Sequence, residues 1–177
     1  MRIDPTHLPM VFRVESPAHE DVRGSFRRTW CAAAFARAGV SFAPTQSSIS
    51  TNFAAHTLRG MHWQAAPHVE QKLVRCVAGR IWDVALDLRP QSPSYLRWHG
   101  EELSAQRGNA LFLPDGVAHG FLTLTPEAAV EYLIDTPHVP DAARGARWND
   151  PVFGIDWPHA PAVISDRDRT WPEHADG

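Results

Sequence analysis

Between Gln46 and Ile134 the chain leaves room for little except short strands joined by tight turns. Lys72–Val77 and Arg80–Leu88 are rich in β-forming residues, and Ala78-Gly79 between them suits a hairpin. Ala110–Leu113 is a short apolar run stopped by Pro114-Asp115-Gly116, and Phe121–Leu124 and Ala129–Ile134 continue the series. Ser47–Phe53 alternates small polar and apolar residues, and residues 9–15 (PMVFRVE) read as an edge strand with prolines near its ends. Only Trp30–Arg37 has the character of a helix, alanine-rich and closed by Gly39. Many short strands at even spacing specify a mainly β fold, a sandwich or barrel with one or two short helices. After Arg147 the prolines are too frequent for regular structure, so the tail is expected to wrap the outside.

A length of 177 residues with 44% hydrophobic content is enough for one domain, residues 1–177, with a substantial core. The net charge of −3 and the lack of a basic stripe argue against nucleic acid as a partner but leave room for a small anionic ligand. Two cysteines, Cys31 and Cys76, make no disulfide framework. No run approaches the roughly 20 apolar residues of a membrane span, and the N-terminus lacks a signal-like core. A soluble, cytoplasmic protein with no membrane partner is the expectation.

Chemistry concentrates in Leu58–Arg89, which holds Arg59, His62 and Lys72 close together. Histidine exchanges a proton near neutral pH, and lysine or arginine can hold the negative charge that proton removal creates. Period-two spacing puts Lys72, Val74 and Cys76 on one strand face and Leu73, Arg75 and Val77 on the other. Turned inward, Lys72 needs an anionic partner or ligand; turned outward, it is an ordinary surface charge. The stretch from Gly108 to His119 has the spacing G-x5-P-x-G-x2-H, which resembles the second signature of the cupin superfamily, a jelly roll or double-stranded β-helix. Metal-binding cupins carry H-x-H in their first signature, whereas the matching stretch here is His62-Trp63-Gln64. His62, Gln64, Glu70 and His119 make a poor ligand set, so no metal and no other cofactor is expected.

The chain also resembles the dTDP-4-dehydrorhamnose 3,5-epimerases. The likeness rests on Asp21-x-Arg23-Gly24-x-Phe26, Leu58-Arg59-Gly60-Met61-His62, and Lys72-Leu73-Val74-Arg75-Cys76-Val77-x-Gly79. It runs on through Asp83–Arg89, Ala118–Leu122, Trp148–Pro151 and Ser165–Asp168. The resemblance implies a cofactor-independent epimerase acting on a nucleoside-diphosphate 4-keto-6-deoxy sugar through an enolate. It makes His62 the base, Asp168 its orienting carboxylate, Lys72 the cation beside the C4 oxygen, and Tyr132 the acid on the opposite face. It makes Arg59 and Arg23 diphosphate contacts, with Gln46, Ser48, His119 and His138 further substrate contacts. It also implies a homodimer in which Arg23 and Phe26 reach into the neighbouring subunit's site.

Each role has a plainer counterpart. By residue type Tyr132 is a core tyrosine, and Asp168 a turn residue. Strict alternation puts Arg59 and His62 on opposite faces, so Gly60 must bend the strand if both meet one ligand. Two positions depart from the family. Arg28 stands where a glutamate usually lies near the thymine base; it can donate but not accept, which suits cytosine, guanine or phosphate better. His138 replaces a usual aromatic beside the sugar, which leaves a 3-epimerase open. The rival readings are a keto-isomerase, a metal-dependent cupin and a non-catalytic sugar-nucleotide binder.

Overall fold

Strand alternation sorts the apolar residues into three layers. On β7 (Lys72–Ala78), Val74 and Cys76 pack against Ile81, Leu111, Phe121 and Val130, between two sheets. Leu73, from the opposite face, joins Phe35, Phe42 and Phe112 beneath the helix α1 (Ala32–Arg37). The last three rings lie 5.2–5.6 Å apart, two of the three pairs edge-on, and such pairs add about 0.5–1.5 kcal/mol each beyond area burial. A third cluster sets Met61, Val84, Leu86 and Ala118 against Phe153, Ile155 and Trp157. The tail therefore does cover the outside of a sheet.

The computed structural model describes residues 1–174. One sheet runs, in spatial order, β1 (Arg2–Pro5), β2 (Phe12–Glu15), β10 (Ala110–Leu113), β7, β12 (Ala128–Ile134) and β5 (Gln46–Asn52). The other runs β13 (Ala143–Gly145), β6 (Thr57–Gln64), β11 (Val117–Thr123), β8 (Arg80–Asp87) and β9 (Trp98–Ser104). From β5 to β12 the chain passes repeatedly between the two sheets, as a cupin-type jelly roll requires. A separate hairpin, β3 (Ala18–Asp21) with β4 (Gly24–Arg27), stands apart from both.

Four expectations need correction. Ala78-Gly79 does not close a hairpin: β7 pairs with β10 and β12, and β8 with β9 and β11, so the chain crosses from one sheet to the other at Gly79. The run at residues 9–15 is not an edge: its strand β2 lies between β1 and β10, and β1 takes the edge. With Ile3 as its only aliphatic residue, β1 carries too weak an apolar signal to stand out. The helix begins at Ala32 rather than Trp30, although Gly39 does follow its end with φ +77°. The tail is not wholly irregular, since β14 (Val163–Ile164) pairs in parallel with β6 and leads into α2 (Asp166–Arg169).

The strand β6 contains an irregularity that matters later. His62 pairs with His119 and Arg59 with Phe121, so three steps along β6 match two along β11. The extra residue is a β-bulge. Gly60 sits there at φ +136°, and a Cβ on it would come within 2.5 Å of the Gly120 Cα. Only glycine suits that backbone and that gap.

Candidate active site

A cavity of about 360 Å³ opens between the sheets. His62 on β6 and His119 on β11 come from one sheet, whereas Lys72 on β7 and Tyr132 on β12 come from the other. Arg59 lines the same cavity. The bulge explains how: with one residue inserted, Arg59 and His62 share a face that strict alternation would deny them.

His62 Nε2 lies 2.6 Å from the Asp168 carboxylate. An ionised carboxylate only accepts, so the proton of this bond sits on Nε2, which leaves Nδ1 as the nitrogen outside it. Asp168 also accepts from the Gly60 amide at 3.3 Å and the Trp171 indole at 3.4 Å. Burial works against its charge, but the His62 bond and charge, with those two donors, hold the carboxyl below its ordinary range. A carboxylate held low stabilises the fold above about pH 4, and that contribution is lost on acidification through its folded value. Asp168 does sit in a turn as well: its own amide donates to Ser165 Oγ at 3.1 Å, capping α2. Turn residue and histidine partner are one and the same here.

Lys72 points inward. Its Nζ lies 2.6 Å from Glu70, and the two side chains are only 11% and 9% exposed. His119 is buried and bonds Asp83 at 2.7 Å, and its ring stands edge-on to Tyr132 at 5.8 Å. Burial, and after it the Asp83 charge, pushes the Tyr132 phenol far above its usual range, with Arg59 offsetting a part. Tyr132 is therefore a protonated donor at neutral pH. The Arg59 Nε donates to Asn52 at 2.8 Å, an amide contact, and among the described residues Arg59 has no ion-pair partner.

Gln46 and His138 also line the cavity, and Gln46 is tied to the Thr136 carbonyl at 2.8 Å. Ser48 faces Tyr132 across the strand pair but lies outside the lining. Arg23, Phe26 and Arg28 are not brought to this cavity. Arg23 is bound to Asp21 at the hairpin tip, Phe26 is 71% exposed, and Arg28 lies in a separate cleft with Cys31 and Arg37. Of the four candidate metal ligands, His62, His119 and Glu70 are engaged by Asp168, Asp83 and Lys72, and Gln64 donates to Glu70. Among the described residues there is no group of three or more metal-binding side chains. Sequence reasoning missed Asp83 as a site residue, though an aspartate inside the apolar run Ile81–Leu86 was a visible signal. It also missed Ser50, Arg144 and Arg167, all of which line the cavity.

The family model for dTDP-4-dehydrorhamnose 3,5-epimerase matches residues 5–176. The chain belongs to the dTDP-4-dehydrorhamnose 3,5-epimerase family. A family relative from Pseudomonas aeruginosa is 38% identical over 173 residues, covering 96% of this chain and 93% of its own. The crystal structure of the Bacillus anthracis 3,5-epimerase, with TDP and PPi bound, superposes with TM-score 0.94 at 34% identity, covering 98% of this chain and 99% of that one. A 3'-monoepimerase from Streptomyces bikiniensis, in complex with dTDP-quinovose, gives TM-score 0.90 at 30% identity, covering 96% and 86%. The family thus includes proteins named for one inverted centre and for two. Among the described residues no helix is long and apolar enough to cross a membrane.

Proposed function

We propose that the protein is a cytoplasmic, cofactor-independent epimerase, a single catalytic domain over residues 1–177. It inverts C3 and C5 of a nucleoside-diphosphate 4-keto-6-deoxyhexose, the chemistry of rhamnose-type deoxysugar formation. One observation carries this reading: His62, bonded to Asp168, and Tyr132 project from opposite sheets into one cavity. Inversion at carbon needs that arrangement, because the proton leaves one face and returns to the other. His62 Nδ1 takes the proton beside the ketone, and Asp168 stabilises the imidazolium formed. The electron pair moves onto the C4 oxygen, where the Lys72 ammonium holds it as an enolate. Tyr132 gives its proton to the opposite face, and solvent restores both groups. Arg59, outside this exchange, suits the diphosphate.

The test is solvent exchange. Protein in D2O would meet dTDP-, CDP-, GDP- and UDP-linked 4-keto-6-deoxyglucose, with deuterium at C3 and C5 followed by NMR. Exchange at both carbons with inversion is the expected result, and the accepted nucleotide identifies the base. Exchange at C3 alone would make the protein a monoepimerase, a second reading favoured by His138 at the cavity wall. A 3-keto product without exchange-linked inversion, or no exchange at all, would sink the epimerase.

The proposal extends to a homodimer with shared sites. The hairpin carrying Arg23 exposes Val22 and Phe26, and the outer sheet face exposes Ile49 and Val77, apolar groups that a second copy would cover. Arg23→Ala is expected to raise KM about tenfold or more, the worth of a charge-assisted bond. Mixing and re-forming dimers from R23A and His62→Ala chains should regenerate some intact sites and restore part of the activity. Additive activity with no recovery would show that each chain completes its own site.

A further inference from the structure

We infer that Glu70 is the positioning residue of the enolate-binding lysine, fixed in turn by Gln64. The inference rests on the epimerase reading and adds to it a residue outside the base, acid and lysine. The Glu70 carboxylate sits between two donors: Oε1 takes the Lys72 Nζ at 2.6 Å and Oε2 takes the Gln64 amide at 3.1 Å. Gln64 is 2% exposed and has further bonds, to the carbonyls of His68 and Pro137, both at 3.2 Å, and from the Val139 amide at 2.6 Å. One buried side chain thus joins the end of β6, the 65–71 connection and the loop that carries His138.

That connection links three side chains, Gln64, Glu70 and Lys72, in series. Gln64 lies two residues beyond His62 on the same strand, so the two share a face. The strand that supplies the base therefore also holds, through Glu70, the lysine that enters from the opposite sheet. A lysine stem has four rotatable carbons, and an unrestrained ammonium would spread over many positions. Glu70 occupies one of its three N–H groups and leaves the others for the cavity. The carboxylate also balances the buried ammonium before substrate arrives. An amide cannot replace it cleanly. Both neighbours are donors, so a glutamine would turn its own NH2 toward one of them.

The experiment compares kcat and KM of wild type, Glu70→Gln, Lys72→Ala and the double variant in the NMR epimerisation assay, with melting curves as a check on folding. E70Q is expected to lose about 10–100-fold in kcat with KM within about threefold, since charge on the C4 oxygen exists only as the enolate forms. In the K72A background the same change should cost almost nothing further, because Glu70 acts only through Lys72. A Glu70 that merely supported the fold would lower the melting temperature and cost the same factor in both backgrounds, and that would overturn the inference. An E70Q kcat within twofold of wild type would overturn it alone, leaving the epimerase intact. No turnover by the wild type would remove the epimerase reading and this one together. If E70Q does not fold, Glu70→Asp carries the same comparison with the charge kept one methylene short.

Discussion

His62→Ala is expected to abolish nearly all epimerisation, a loss of about 10³-fold or more, while the protein remains folded. The rate falls because His119, although it too is backed by a carboxylate, is buried, whereas His62 is open to the cavity, and Lys72 is paired with Glu70. The fold survives because His62 is a half-exposed side chain whose removal opens no sealed core. Asp168 loses its nearest donor but keeps the Gly60 amide and the Trp171 indole. The same variant should respond differently to acid. In the wild type, the lowered Asp168 carboxyl contributes stability that disappears as pH falls below the ordinary carboxylate range. Without His62 that lowering shrinks, so the melting temperature of the variant should fall less steeply between about pH 5 and pH 3. Deuterium incorporation and pH-resolved melting measure the two effects separately. Wild-type turnover in H62A would mean that the base lies elsewhere.

Tyr132→Phe is expected to separate exchange from inversion. His62 can still remove a proton, and its imidazolium can return a solvent deuteron to the face from which the proton came. Delivery from the other sheet is lost, so net inversion should drop about 10²–10³-fold while deuterium still washes into the substrate. Removing a hydroxyl from a half-buried ring leaves its packing against His119 unchanged, so stability should shift little. NMR reports both quantities in one sample. Undiminished inversion would rule out Tyr132 as the acid.

The strongest of the sequence expectations were local. Pro114-Asp115-Gly116 does lead into the strand bearing His119, and Gly79 does end one strand before the next, although those two strands belong to different sheets. Those motifs state their own backbone requirements. What stayed hidden depended on distant partners. No local pattern says that Lys72 will meet Glu70 instead of solvent, or that the aspartate of Ser165–Asp168 will return to β6. The β6 strand does not stand out in the sequence as a strand, because its glycine and mixed polarity disguise the alternation. The requirement for a bend at Gly60 was legible, but its form, an inserted residue rather than a kink, needed the pairing with β11. Arg23, Phe26 and Arg28 mark the opposite limit: their motif was plain, and the folded chain by itself leaves them away from the cavity.

The inserted residue in β6 gives the strand two phases. Leu58 and Arg59 keep time with one register of β11, and His62 keeps time with the next. A strand with no such shift could show the cavity either its arginine or its histidine, never both. Deleting one residue at this point would preserve every other letter of Leu58-Arg59-Gly60-Met61-His62 and turn one of the two groups to the opposite face. The count of residues between them is thus as much a part of the site as the residues themselves.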